Sequence, residues 1–257
     1  MSFEFTLHAK QREFGALFAF GFFLIYVASM AAGSSIGASV YSGIYAAGSS
    51  SSAVYSSADV RVMSAVFQHI AGATAGGVVI FSLIVICIRR MPQAVSFSEL
   101  GFVRSSVWKC LVAFIAGLSL NLLFMLGLRE LFPFDGERRP TSLEGINDVA
   151  EKFRVMAAFA MIVLAPVNEE VLFRGVLYTG FSKAVGRFLA AVLVTCLFAL
   201  IHFSVIASGY WLDIPVLFFI STLLILVRVF SGSLYPAMSL HAGFNSALIF
   251  PVQIFAG

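Results

Sequence analysis

Apolar runs of about 20 residues recur along this chain, each long enough to cross the ~30 Å hydrocarbon core of a bilayer. Within that layer backbone polar groups have no water to bond, so a run of this kind must satisfy its own N–H and C=O groups by becoming helical. Composition agrees. Of 257 residues, 60% are hydrophobic, only 11% are charged, and 28 are Phe; mean hydropathy is +0.97. The expected fold is all-α, a polytopic transmembrane helical bundle of about seven spans.

The first span is expected near 15–32, as an uncleaved helix because its apolar stretch exceeds the 7–15 residues of a signal peptide core. Segment 33–62, rich in Ser, Gly, Ala and Tyr, reads as a flexible external loop. A sharper alternative makes it an interfacial lid with Tyr41, Tyr45 and Tyr55 at headgroup level. Further spans are expected near 63–88, 107–128, 155–177, 188–203, 214–230 and 234–255. Between Arg129 and Arg154 lie six acids and five bases, a solvated connection with a short amphipathic helix expected over 142–152. The chain divides into N-terminal spans and loops (1–152) and a C-terminal helical core (153–257).

Lys10, Arg12, Arg89, Arg90, Arg104, Lys109, Lys183, Arg187 and Arg228 fall on one side of such a bundle. Positive residues favour the cytoplasmic side, so the N-terminus is expected inside and the C-terminus outside. No basic block is long enough for nucleic acid, and no nucleic-acid partner is expected. Cys87, Cys110 and Cys196 show no paired spacing for disulfides or zinc and read as small core residues.

Against this apolar background the polar residues carry the information. Ala165-Pro166-Val167-Asn168-Glu169-Glu170 continues to Arg174-Gly175 inside one run. Ionisable groups at membrane depth are costly and mark a functional site by default. Glu170 and Arg174, four apart, share a helix face and neutralise each other. Pro166, lacking an N–H, frees a carbonyl just before the acids. Downstream lie Phe198-x-x-x-His202 and His241-x-x-x-Asn245, while His69 lacks a companion at helical spacing and reads as helix–helix hydrogen bonding. Desolvation makes a buried carboxylate a stronger base, so Glu169 suits activation of water, with His202 holding the same water. His241 and Asn245 share a face and can both donate to an oxyanion.

These three ordered motifs, with Ala-Pro-Val before the acids and Gly232-Ser233-Leu234-Tyr235-Pro236 before the last histidine, resemble those of the CAAX protease and bacteriocin-processing (Abi) family of intramembrane proteases. The resemblance covers roughly 155–250. It implies an intramembrane glutamate endopeptidase in which Glu169 and His202 activate water, His241 and Asn245 stabilise the oxyanion, and Glu170 and Arg174 support the site. No cofactor is expected. A zinc site at Glu169, His202 and His241 is the less favoured alternative, since His-Glu-x-x-His is absent. The expected partners are a membrane-bound peptide or protein substrate and the lipid bilayer, in a prokaryotic cell membrane. The competing function is a non-catalytic membrane scaffold or regulator on the same fold. A transporter would need inverted repeats, and the sequence shows none.

Overall fold

The computed structural model describes residues 15–48, 57–92, 94–131, 151–202 and 213–249. These residues form seven helices: α1 (Ala16–Gly48), α2 (Ser57–Arg90), α3 (Val107–Leu131), α4 (151–185), α5 (Arg187–Ile201), α6 (Asp213–Ser231) and α7 (Leu234–Ile249). Five of them, α1–α4 and α6, are long and apolar enough to cross a membrane; α5 is a shorter apolar helix. The chain is an all-α, integral, multi-pass membrane protein.

Where the sequence predicts a loop after residue 32, α1 continues to Gly48, and α2 begins at Ser57 rather than near Met63. The serines permit this because their hydroxyls bond back along the helix. Ser35 Oγ donates to the Ala31 carbonyl and Ser39 Oγ to that of Ser35, each at 3.0 Å, so they no longer compete for a turn. Tyr41 is buried in a satellite cluster with Met63, Val66 and Ala157. Tyr55 and residues 142–150 of the expected amphipathic helix lie outside the described residues.

Lipid tails are as apolar as leucine, so helices associate here through close packing and polar contacts. Two Gly-x-x-x-Gly pairs, Gly33/Gly37 on α1 and Gly72/Gly76 on α2, face each other across an antiparallel hairpin. A Cβ on Gly33 would lie 2.6 Å from the Ala71 carbonyl oxygen, and one on Gly76 would lie 2.8 Å from the Tyr26 ring. The same device joins α3 to α7, where Gly117 abuts the Leu240 carbonyl and Gly243 that of Phe114. Asn121 Nδ2 adds a hydrogen bond to the Phe244 carbonyl at 2.6 Å. Helix α4 occupies the centre, touching α1, α2, α5, α6 and α7.

His69 is exposed, and its Nδ1 bonds the Ala65 carbonyl at 2.8 Å. It therefore satisfies its own helix, and among the described residues it makes no hydrogen bond to another helix. Among the cysteines, Cys87 is buried as expected of a core residue, whereas Cys196 faces outward.

Gly117→Val should lower the thermal unfolding midpoint in detergent by an amount worth about 1–3 kcal/mol, because α3 and α7 must separate. Gly21→Ala, with open space at its Cβ, should leave the midpoint unchanged or raised. Equal midpoints for the two variants would contradict the packing role.

Candidate active site

Helix α4 is not regular. It widens to π-helical geometry over Ala160–Leu164 and again over Val171–Leu177, flanking the acids on both sides, as π segments at functional sites often do. In the first widening, the Ala165 N–H bonds the Ala160 carbonyl, five residues back. In that register the Met161 carbonyl awaits a donor from residue 166, and Pro166 has none. Asn245 Nδ2, from α7, donates to Met161 O at 2.9 Å instead. The carbonyl freed by the proline is thus where α7 attaches to α4.

One turn further on, Asn168 Nδ2 donates to the Ala73 carbonyl of α2 at 2.7 Å. Gly77 makes room for that amide, since a Cβ there would lie 2.7 Å from Asn168 Oδ1. Helix α2 therefore touches α4 immediately beside the acids.

Glu170, Arg174 and His241 form a buried, charge-assisted cluster. Glu170 and Arg174 are fully buried. Glu170 Oε1 accepts from Arg174 Nη1 at 3.0 Å and from His241 Nδ1 at 2.9 Å. Arg174 Nη2 continues to α6, donating to the Ser221 carbonyl at 3.0 Å and to Ser221 Oγ at 2.9 Å. Ser221 Oγ passes a weaker bond to Thr195 Oγ1 of α5 at 3.3 Å. Phe198 fills the space between these groups. The Arg174 guanidinium carbon stands 4.7 Å from its ring centroid, a cation–π contact of the desolvated kind. The rings of His202, Phe173 and His241 stand 4.6, 5.2 and 6.0 Å from it.

Glu169 is buried beside this cluster. Its Oε2 lies 3.8 Å from His241 Nε2, beyond hydrogen-bond range, and makes no hydrogen bond among the described residues. A buried carboxylate oxygen without a donor is rare enough in native proteins to need an explanation. It sits where an imidazole nitrogen can share a small ligand with it.

The sequence-predicted residues fall into two groups. Glu169, Glu170, Arg174 and His241 converge, with Asn245 one turn along α7 from His241. His202 follows the end of α5, half-buried, and its Nδ1 bonds the Phe198 carbonyl at 2.8 Å. Among the described residues it makes no hydrogen bond to Glu169, His241 or Asn245; Phe198 is the ring between it and His241. A carbonyl or carboxylate acceptor at Nδ1 requires a proton there. In both His202 and His241 the Nε2 atom is therefore the one left for chemistry. No three His, Cys, Asp or Glu side chains among the described residues are grouped as a metal ion would need.

Four contributors escape the sequence reading: Asn168, Thr195, Ser221 and Tyr26. Tyr26 of α1 is buried and lies within the field of the Glu169 carboxylate. A lone Ser or Thr on an apolar helix carries little signal because it can satisfy itself. Thr222, next to Ser221, does so by donating to the Phe218 carbonyl at 2.8 Å.

Arg174→Met should destabilise the protein by about 3–5 kcal/mol, because it strands a buried carboxylate. Adding Glu170→Gln should recover part of that loss in the same detergent unfolding assay. A single variant as stable as the parent would contradict the ion-pair geometry.

Residues 151–247 match the family described as type II CAAX prenyl endopeptidase Rce1-like. No curated protein and no solved structure matches the chain.

Proposed function

On the premise that this chain carries an Rce1-like domain, and so a membrane CAAX-protease-type fold, we propose that it is an intramembrane glutamate endopeptidase. It hydrolyses a peptide bond of a membrane-associated protein or peptide. The observation that carries this reading is that Glu169 Oε2, which accepts no hydrogen bond among the described residues, lies 3.8 Å from His241 Nε2 inside an apolar bundle. A water oxygen resting to one side, about 2.8 Å from each, touches both atoms.

In this mechanism Glu169 takes a proton from the attacking water, and the new hydroxide adds to the substrate carbonyl. His202 Nε2 orients that water once substrate is bound; catalytic contacts often tighten only in the complex. The tetrahedral oxyanion then needs donors. Glu169 and Glu170 together carry two negative charges against one on Arg174, and a proton on His241 balances them. Protonated His241 keeps Nδ1–H on Glu170 and presents Nε2–H to the oxyanion. Asn245 uses one amide hydrogen on Met161 O and has a second to offer. When the C–N bond breaks, Glu169 returns its proton to the leaving amine. Glu170 and Arg174 act as positioning residues by fixing His241. No metal takes part, and the same fold serving as a non-catalytic scaffold is the reading that loses.

The basic end of the bundle gathers the turn between α2 and α3, the α4–α5 turn and the end of α6. Lys183 Nζ bonds Glu99 Oε1 at 3.1 Å and Arg228 Nη2 bonds the Glu99 carbonyl at 3.1 Å. By the positive-inside tendency this end faces the cytoplasm of a prokaryotic cell, which puts the N-terminus inside.

Glu169→Gln should reduce cleavage of a membrane-anchored peptide substrate by at least about 100-fold, with an unchanged unfolding midpoint. The parent enzyme should stay active in strong chelator. Retained cleavage by the variant removes Glu169 as base, and loss of parental activity in chelator replaces the water–glutamate mechanism with a metal one. Asn245→Ala should lower kcat by about 10²–10³-fold with little change in KM, as loss of an oxyanion donor does. A change confined to KM would make Asn245 a binding residue instead.

A further inference from the structure

At the basic end of the bundle, well away from the acids, lies an open cavity of about 350 Å³ lined by Glu99, Tyr178, Thr179, Ser182, Lys183, Arg187 and Arg228. Ser182 stands 13 residues beyond Glu169 on α4, which is about 20 Å along a helix. The cavity is therefore separate from the proposed catalytic site. Three cations face one carboxylate across it, and that carboxylate is already held by Lys183 at 3.1 Å.

Arg228 is the informative residue. It is half-buried, and among the described residues no carboxylate pairs with it. Its Nη2 donates to the neutral Glu99 carbonyl, and its Nε has no acceptor among the described residues. The side chain is nonetheless fixed. Gly101, at a φ of +93°, brings the loop backbone so close that a Cβ would collide with the guanidinium. The Gly101 carbonyl in turn accepts from the Leu234 N–H at 2.8 Å, binding the loop to the start of α7. A guanidinium withdrawn from water without a counter-ion is unfavourable unless an anion is supplied.

The surroundings suit such an anion. Helix α5 starts at the edge of this cavity, its first turn has no side-chain cap, and helix N-termini favour negative charge. The Ser182 hydroxyl is buried without a hydrogen-bond partner among the described residues, and Tyr178 adds a second hydroxyl to the lining. Tetrahedral, multiply accepting oxygens match this set of guanidinium, ammonium and hydroxyl donors better than a single carboxylate does.

We propose that this cavity is a phosphate-binding site, built to take the phosphate group of an acidic phospholipid headgroup or of a soluble phosphate compound at the membrane surface. Basic pockets between transmembrane helices are a recurrent way to hold such headgroups. Occupancy neutralises Arg228 and clamps α4, α5, α6 and the loop before α3 together.

The test uses the full chain in a neutral detergent, following thermal unfolding with two probes. One arm titrates inorganic phosphate against sodium chloride at equal ionic strength. The other compares micelles doped with phosphatidylglycerol and with phosphatidylcholine. Phosphate or phosphatidylglycerol should raise the midpoint, and phosphatidylcholine and chloride should not. Stabilisation by phosphatidylglycerol alone assigns the site to a lipid headgroup, and stabilisation by phosphate alone assigns it to a soluble ligand. Arg228→Gln should raise the half-saturating probe concentration about tenfold, equivalent to about 1.4 kcal/mol. Arg187→Gln, at an exposed position, should weaken binding in the same direction and decides the matter if Arg228→Gln does not fold. Either no stabilisation beyond that of chloride, or an undiminished response in the folded variants, overturns the proposal.

Discussion

Placing two carboxylates and a guanidinium inside hydrocarbon is the constraint to which the rest of the bundle answers. Isolated, each charge would cost several kcal/mol to bury. Together they are held by a network crossing three helices: Glu170 bonds Arg174 and His241, and Arg174 bonds Ser221. The aromatic face of Phe198 closes the remaining side of the guanidinium. Such a network is favourable only if α4, α6 and α7 are brought to contact distance and held there.

Contact is achieved without a hydrophobic drive between helices, since lipid supplies an equally apolar alternative. Glycine against backbone supplies it at the α1–α2 and α3–α7 crossings. Side-chain amides aimed at carbonyls fasten the crossings near the acids: Asn121 on Phe244, Asn168 on Ala73 and Asn245 on Met161. The last is informative because Pro166 and the π-helical turn before it create the need that Asn245 meets. Structural cost at one helix thereby becomes a fastening point for another, and it sets Asn245 next to the turn that bears Glu169.

Much of this was legible in the sequence. Runs near twenty apolar residues specify helical spans, and the i, i+4 spacing of Glu170 and Arg174 puts them on one face. Pro166 announces a freed carbonyl. Other features were not legible for physical reasons. Segment 33–48 carries the residues of a loop, yet it is helical because its serines bond back to the helix and its glycines meet α2. His202 and His241 look equivalent by spacing, but among the described residues it is His241 that reaches the carboxylates, while His202 is turned to the Phe198 carbonyl at the end of a short helix. Ser221 and Thr195 could not be told from self-satisfied hydroxyls until the position of Arg174 was known.

The structural core of this picture is the link between α4 and α7 made by Glu170 and His241, since it fixes which imidazole nitrogen faces Glu169. A double-mutant cycle on unfolding stability, using Glu170→Gln, His241→Leu and the pair, measures that link directly. The expected coupling is about 0.5–3 kcal/mol, the range for contacting residues in one network. Additive effects, with coupling near zero, would mean that the two side chains do not meet and that the proposed site is wrongly assembled.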